Sequence, residues 1–272
     1  ILRRAAPLIL VGVGMTLVIL TGGIDLSVGS VMAMSGALAC VLIADGSSVF
    51  VAVAAALLLC VLAGAWNGML VAVIGIQPII ATLILFISGR GVALVLTNGN
   101  LQTFQNPGFT WIGTGRLLQL PVQGWMALVL TIVVALVVRR TIFGRYLLAV
   151  GGNERAAALA GAPVRTVKVA TYVVASTLAG LAGLIEVALI SASDAARIGN
   201  LMELDAIAAA VVGGAALSGG RAPILGTLLG AAFIQLVGYT LVANGVPDEA
   251  TLIVTAGIIV SAVYLQDGRR RP

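Results

Sequence analysis

Apolar residues in this chain do not alternate with polar ones; they continue for long stretches, broken by glycine and by short polar clusters. About 20 apolar residues carry a helix across a bilayer, because the hydrocarbon is about 30 Å thick and each residue rises about 1.5 Å. Runs near that length lie at about 7 to 21, 27 to 44, 49 to 73, 79 to 97, 123 to 138, 168 to 190, 206 to 219, 224 to 243 and 250 to 265. The pattern predicts an all-α, polytopic transmembrane helical bundle of about nine spans, forming a single domain over 1–272. Unbroken apolar runs of this length exclude a β-barrel, whose strands alternate. Several runs are short and bounded by glycine. Irregular backbone is not tolerated against lipid, so such segments should be shielded by neighbours or line a cavity.

Basic residues set the orientation. Between 139 and 168 lie Arg139, Arg140, Arg145, Arg155, Arg165 and Lys168 against one acid, Glu154, and the C-terminal tail carries Arg269, Arg270 and Arg271. Both regions should be cytoplasmic. Four spans separate them, an even number, so the assignments agree. The same parity places the 98 to 122, 191 to 205 and 244 to 249 loops outside, with Arg116 and Arg197 against Asp194, Glu203, Asp205, Asp248 and Glu249. Counting back from residue 139, however, leaves Arg3 and Arg4 outside, and the chain begins with Ile1. A further N-terminal span is therefore expected, giving ten in the native protein with both ends in the cytoplasm.

Composition narrows the chemistry. The apolar set makes up 60% of residues, with 34 glycines besides, and only 9% are charged, where soluble domains carry about a quarter. Histidine is absent, and Cys40 and Cys60 each sit inside an apolar run, which removes His-based catalysis, His-ligated metals and a disulfide framework. The net charge of +5 comes from residues flanking the membrane, so nucleic acid is set aside as a partner. Lys168 is the single lysine, and no Gly-x-x-x-x-Gly-Lys-Ser/Thr loop exists, so this chain does not bind ATP in that way. His-Glu-x-x-His is absent too, and no two acids sit deep in the spans as a catalytic dyad.

The remaining polar residues are candidates for function. In the 139–168 loop, Asn153 is placed to cap an alanine-rich helix from Glu154 that Gly161 and Pro163 stop, while Gly151 and Gly152 break what precedes it. A two-turn helix lying across the membrane face can fit a partner's groove, or it can be a solvated connector. Asp25 lies in Gly22-Gly23-Ile24-Asp25-Leu26-Ser27-Val28-Gly29, where it or Ser27 can cap the next span or face a substrate. The order Gly-Gly-x-x-Leu-Ser-x-Gly recurs at Gly213 to Gly220, as an internal repeat or by chance in a glycine-rich chain. Arg90 and Glu186 are the charges deepest in apolar runs, which implies a cavity, an ion pair or a head reaching the interface; Arg90 follows Ser88-Gly89, a turn-forming pair. Asn67, Gln77, Asn98, Asn100, Gln235, Tyr239 and Asn244 can bond a polar solute or join helices. Trp111 and Trp125 flank an outside loop as interface anchors, whereas Trp66 sits within a span.

Three stretches, Thr21 to Ser30, Gly144-Arg145-Tyr146 to Gly161, and Glu203-Leu204-Asp205-Ala206-Ile207-Ala208 followed by Val212-Gly213-Gly214 and Ser218-Gly219-Gly220, resemble the permease subunits of bacterial ABC sugar importers of the ribose, xylose and galactofuranose group. The resemblance runs from about residue 13 to the C-terminus. It implies a ten-span permease of the bacterial inner membrane that passes a monosaccharide from a periplasmic sugar-binding protein to the cytoplasm. It also implies a second permease, identical or related, and a cytoplasmic ATPase with two nucleotide-binding cassettes, which uses ATP and Mg while this chain binds no cofactor. Within it, the segment holding Asn153, Glu154, Arg155, Ala157 and Gly161 resembles the coupling helix, and Asp25, Asn67, Arg90 and Glu186 are the candidate pathway or gating residues. The alternative is a secondary transporter or channel driven by an ion gradient, for which Glu186 is the one suitable intramembrane acid.

Overall fold

The computed structural model describes residues 2–260 except 222, 248, 249, 252, 255 and 259. Its helices are α1 (Leu2–Leu20), α2 (Val28–Ala44), α3 (Val49–Met69, continued by a π-helical turn Leu70–Ile74), α4 (Pro78–Leu96), α5 (Pro107–Thr114) and α6 (Val122–Arg140). They are followed by α7 (Ile142–Gly152), α8 (Glu154–Leu159), α9 (Val164–Ile190), α10 (Met202–Val212) and α11 (Ile224–Ala243). Two short antiparallel ribbons complete the described fold: β1 (Gln102–Thr103) pairs with β4 (Ala192–Ser193), and β2 (Arg116–Leu117) with β3 (Leu120–Pro121).

A helix apolar on every side is buried on every side, and α1 is the clearest case, with every residue from Ala5 to Leu20 buried. It packs against α6, α9, α10 and α11, while α2, α3 and α9 form the other half of the core. Glycines let α3 and α9 touch backbone to backbone: a side chain on Gly64 or Gly68 would strike the Tyr172–Val173 or Val169 main chain, and one on Gly180 would strike Cys60. Small residues at such crossings are how helices associate in lipid. The rim is apolar and outward-facing, with Phe50, Leu58 and Trp66 of α3, Ile87 and Val95 of α4, and Leu229 of α11 all exposed.

The ends of the bundle differ. At one, α1 begins against Gly124 and donates from Arg3 to the Thr114 carbonyl at 3.2 Å, and α5 sits on the end of α9 through Gly113. The β1–β4 ribbon closes this end, where Cys40 Sγ also reaches the Gln102 carbonyl. At the other lie Arg139 and Arg140 at the end of α6, then α7, α8 and the start of α9. That arginine-rich end is the one for which the positive-inside rule predicts a cytoplasmic position.

Six described helices are long and apolar enough to cross a membrane: α1, α3 with its π turn, α4, α6, α9 and α11. The expected count of nine is not supported. The 27 to 44 run is α2, an apolar helix of 17 residues, or about 25 Å. Of the 250 to 265 run, the described residues 250, 251, 253, 254, 256–258 and 260 are helical, as expected; the rest of the run and the Arg269–Arg271 tail lie outside the described residues. The 206 to 219 run is corrected: its helix starts earlier, at Met202, and stops at Val212, because Gly213-Gly214 follows and Gly214 takes a left-handed φ of 96°. From β4 the chain instead runs through residues 194–201 as irregular backbone, enters α10 inside the bundle, and emerges at a turn packed on Leu20 and Gly151. One crossing is thus half loop and half helix; in its irregular part Ala195, Ile198 and Gly199 are buried against the bundle, whereas Ala196, Arg197, Asn200 and Leu201 are exposed.

Candidate functional site

Two polar clusters inside the bundle meet on the first turn of α2. In the first, Asp25 Oδ1 accepts from the Ser27 amide at 2.9 Å and the Ser27 hydroxyl at 2.6 Å, forming a local turn that starts the helix. Asn67 of α3 donates to the same Ser27 Oγ at 2.9 Å, and Thr82 of α4 accepts from the Leu26 amide at 3.1 Å. Asp25, Ser27, Asn67 and Thr82 are buried, and Tyr172 of α9 closes the group beside Gly23. Asp25 Oδ2, Asn67 Oδ1 and the Tyr172 hydroxyl have no protein partner, and buried polar groups of this kind need one.

The second cluster surrounds the break in the crossing. Arg90 lies in a continuous α4, not after a turn: Ser88-Gly89 stays helical, and Gly89 lets α4 close on Ser30 and Met34. Its Nη1 donates to the carbonyls of Ala195 and Ile198, 2.7 Å each. Glu203, Glu186 and Asp194 are near enough to act on the guanidinium electrostatically. Glu186 lies beside the Gly199 amide, and one oxygen each of Glu186 and Glu203 has no partner. Gly199 and Gly29 touch backbone to backbone, so a side chain on Gly29 would collide with Gly199 and Glu203. Gly199 has φ 65°, and Ser191 and Leu201, which bracket the irregular stretch, hold φ 53° and 60°, a left-handed conformation that costs non-glycine residues energy.

The third element is the surface at the arginine-rich end. Asn153 caps α8 by accepting from the Ala156 amide at 3.0 Å, and Gly161 ends the turn with φ 84°. The helix is shorter than two turns, and Gly151-Gly152 do not break the chain before it but end α7. Ala157 is turned inward and buried, whereas Arg155 is exposed and Leu159 is 91% exposed. Glu154 pairs with Lys168 at 2.6 Å, a surface contact of about 0–1 kcal/mol. A pocket of about 620 Å³ opens here, lined by Ala72, Asn153, Glu154, Arg155, Ala158 and Arg165. Gly151 ties this surface to the bundle: a side chain there would collide with the Leu20 carbonyl and the Gly220 amide, which bond each other at 3.0 Å.

The sequence-selected residues therefore fall into groups. Asp25 and Asn67 share one cluster, Arg90 and Glu186 the other, and Asn153, Glu154, Arg155, Ala157 and Gly161 the surface. Gln77, Asn98, Asn100, Tyr239 and Asn244 are scattered and exposed and join neither cluster. Trp66 points outward from α3. The two Gly-Gly-x-x-Leu-Ser-x-Gly stretches touch through Gly22 and Gly219, but their left-handed glycines fall at different motif positions, Gly22 in one and Gly214, Gly219 and Gly220 in the other. Glu203 and Tyr172 were missed as site residues. The acids at 203 and 205 in an otherwise apolar stretch are the signal for Glu203, obscured by starting the span at 206; Tyr172 has no signal beyond being polar within an apolar run.

Long apolar helices closed around a broken crossing, with Arg90, Glu186 and Glu203 gathered at the break, define a polytopic membrane protein of the transporter class. The chain belongs to the family described as branched-chain amino acid transport system / permease component, which matches residues 1–263. It is 44% identical over 269 residues to the galactofuranose transporter permease protein of Escherichia coli (strain K12), covering 99% of this chain and 79% of that one. It is 41% identical to the ribose import permease protein of the same strain, with 99% and 85% covered, and 35% identical to the fructose import permease protein of Bifidobacterium longum (strain NCC 2705), with 97% and 76% covered. No solved structure matches it. The chain is a multi-pass permease component of the inner membrane.

Proposed function

We propose that this chain is the permease subunit of an ATP-driven sugar importer. The observation that carries the reading is near-complete alignment with permeases named for galactofuranose, ribose and fructose, which outweighs the amino-acid wording of the broader family description. On this reading a periplasmic binding protein delivers a monosaccharide, and a second permease, identical or related, completes the pathway. A cytoplasmic ATPase with two cassettes supplies the energy, using ATP and Mg that this chain does not hold. Sugar selectivity rests largely with the receptor, in keeping with the scattered amides.

The coupling surface is α8 with its flanks. Arg155, Ala158 and Leu159 face the ATPase, Ala157 seats the helix, and Asn153, Glu154 and Gly161 shape it. Gly151 supports this assignment, because movement of α7 and α8 bears directly on the turns at Leu20–Gly22 and Gly219–Gly220. Asp25, Asn67, Arg90 and Glu186 serve the pathway and its gating. Purification of the tagged full-length protein from native membrane in mild detergent, followed by mass spectrometry, tests the whole. The expected result is co-purification of an ATPase with two nucleotide-binding cassettes, lost on Glu154→Lys. A chain that purifies alone and moves solute in liposomes without ATP overturns the reading in favour of an ion-driven transporter.

A further inference from the structure

The geometry points to Arg90 as a two-position latch: holding the Ala195 and Ile198 carbonyls it pins the irregular half of the broken crossing shut, and transferring to Glu203 it frees that segment during transport. This inference rests on the transport reading but makes a claim of its own.

Three observations support it. First, the only hydrogen bonds Arg90 makes among the described residues go to those two carbonyls, 105 and 108 positions along the chain, although a partly buried arginine gains most from a carboxylate. Second, two carboxylates stand by. Glu203 is 6% exposed and Glu186 is half-buried, each has a free oxygen, and both act on the guanidinium electrostatically without coming within the 4.0 Å of an ion pair. The guanidinium therefore has two sets of acceptors within one neighbourhood and occupies one of them. Third, the held segment is built to move as a unit. It is free of helix and sheet from 194 to 201, starts and ends near left-handed Ser191 and Leu201, and leans on α2 through Gly29 and Gly199 without side chains between. A segment held at two carbonyls and strained at its ends is released by one side chain changing partners.

Glu203 is the preferred second partner because its Oε2 lies at the contact of Gly29 with Gly199, and because it opens α10, from whose end the chain runs on to the Gly219–Gly220 turn packed on Leu20 and Gly151. Transfer of Arg90 to Glu203 thus exchanges a contact with the loop for one with the half-helix. On this scheme Arg90 and Glu203 are positioning residues, and neither needs to touch sugar.

The latch is tested by thiol accessibility in the assembled transporter, reconstituted in liposomes. Ala195→Cys and, separately, Ile198→Cys report on the segment, each site being 2% exposed, while native Cys40 and Cys60 are fully buried. A membrane-impermeant methanethiosulfonate reagent is added from outside. Without ATP, Arg90→Gln is expected to raise labelling at both sites about tenfold or more, since charge-assisted hydrogen bonds are lost. Glu203→Gln is expected to leave labelling at the parental rate, and during ATP turnover with loaded receptor to suppress the rise seen in the parent. Equal labelling of Arg90→Gln and parent overturns the latch. So does Glu203→Gln labelling as fast as Arg90→Gln, or labelling of Cys40 or Cys60 in Arg90→Gln without a reporter, either of which marks general loosening. Failure of the transport reading is seen separately, as absence of ATP-dependent uptake in the parent, because labelling without ATP does not depend on uptake.

Discussion

Arg90 and Arg197 show how differently one residue type is used within one region, since Arg90 bonds the carbonyls of Ala195 and Ile198, on either side of Arg197. Arg197 is exposed and pairs with Asp194 at 3.5 Å across three residues, so Arg197→Glu should leave expression and uptake within error of the parent. Arg90→Glu places a third carboxylate beside Glu186 and Glu203 and removes the donor to two buried carbonyls. Membrane levels on a quantitative blot, or uptake where levels hold, should fall several-fold; an unaffected variant would make Arg90 peripheral. Asn67→Leu has a milder expected effect. It removes the donor to Ser27 and leaves the α2 turn without its link to α3, a loss of about 1–3 kcal/mol for a buried polar contact, visible as a lower unfolding midpoint in detergent.

Among elements, the α7–α8 hairpin separates backbone shape from contact. A Cβ on Gly161 meets nothing within 4 Å, but its φ of 84° disfavours any side chain, by about 1–2 kcal/mol. Gly152 is equally open and lies in a helix. Gly161→Val should therefore abolish ATP-dependent uptake while the protein stays in the membrane, and Gly152→Val should be tolerated; a normal Gly161→Val would remove α8 from the coupling scheme. The hairpin also shows what sequence could tell. Asn153, Gly161 and Pro163 announce the ends of α8 through local turn chemistry, and the long apolar runs announce α1, α3, α4, α6, α9 and α11 through length alone. The broken crossing was not legible, because hydropathy averages over a window and 206–219 is apolar throughout, whereas the helix end was set by Gly213-Gly214 and its start by Leu201. Nor could sequence unite Arg90 with Glu186 and Glu203, since about a hundred residues separate it from them and their meeting depends on two glycines in contact at 29 and 199.

At the scale of the whole molecule, burial is uneven in a way that assigns roles. The best-buried span is α1, followed by α9, while α3, α4 and α11 are mostly exposed. The outer helices offer apolar side chains to lipid, and the inner pair carries the tight crossings. Substitutions on the rim, such as Leu229→Ala, should leave the unfolding midpoint nearly unchanged. Gly180→Leu, which drives a side chain into Cys60, should lower it by an amount typical of overpacking, about 1–3 kcal/mol or more. Equal effects in the two would mean that the helices do not pack as described.

The central position of α1 has a consequence for biogenesis. Its neighbours α6, α9, α10 and α11 lie between residues 122 and 243, so the ribosome makes α1 long before the surfaces that enclose it. At about 5–20 residues per second, α1 waits roughly ten to forty seconds for α11. During that interval Thr16, which ends bonded to Thr227 at 2.6 Å, has no partner in α11. A photo-crosslinker at position 16 should therefore capture the insertion machinery in chains stalled before residue 224, and capture α11 once translation has passed it.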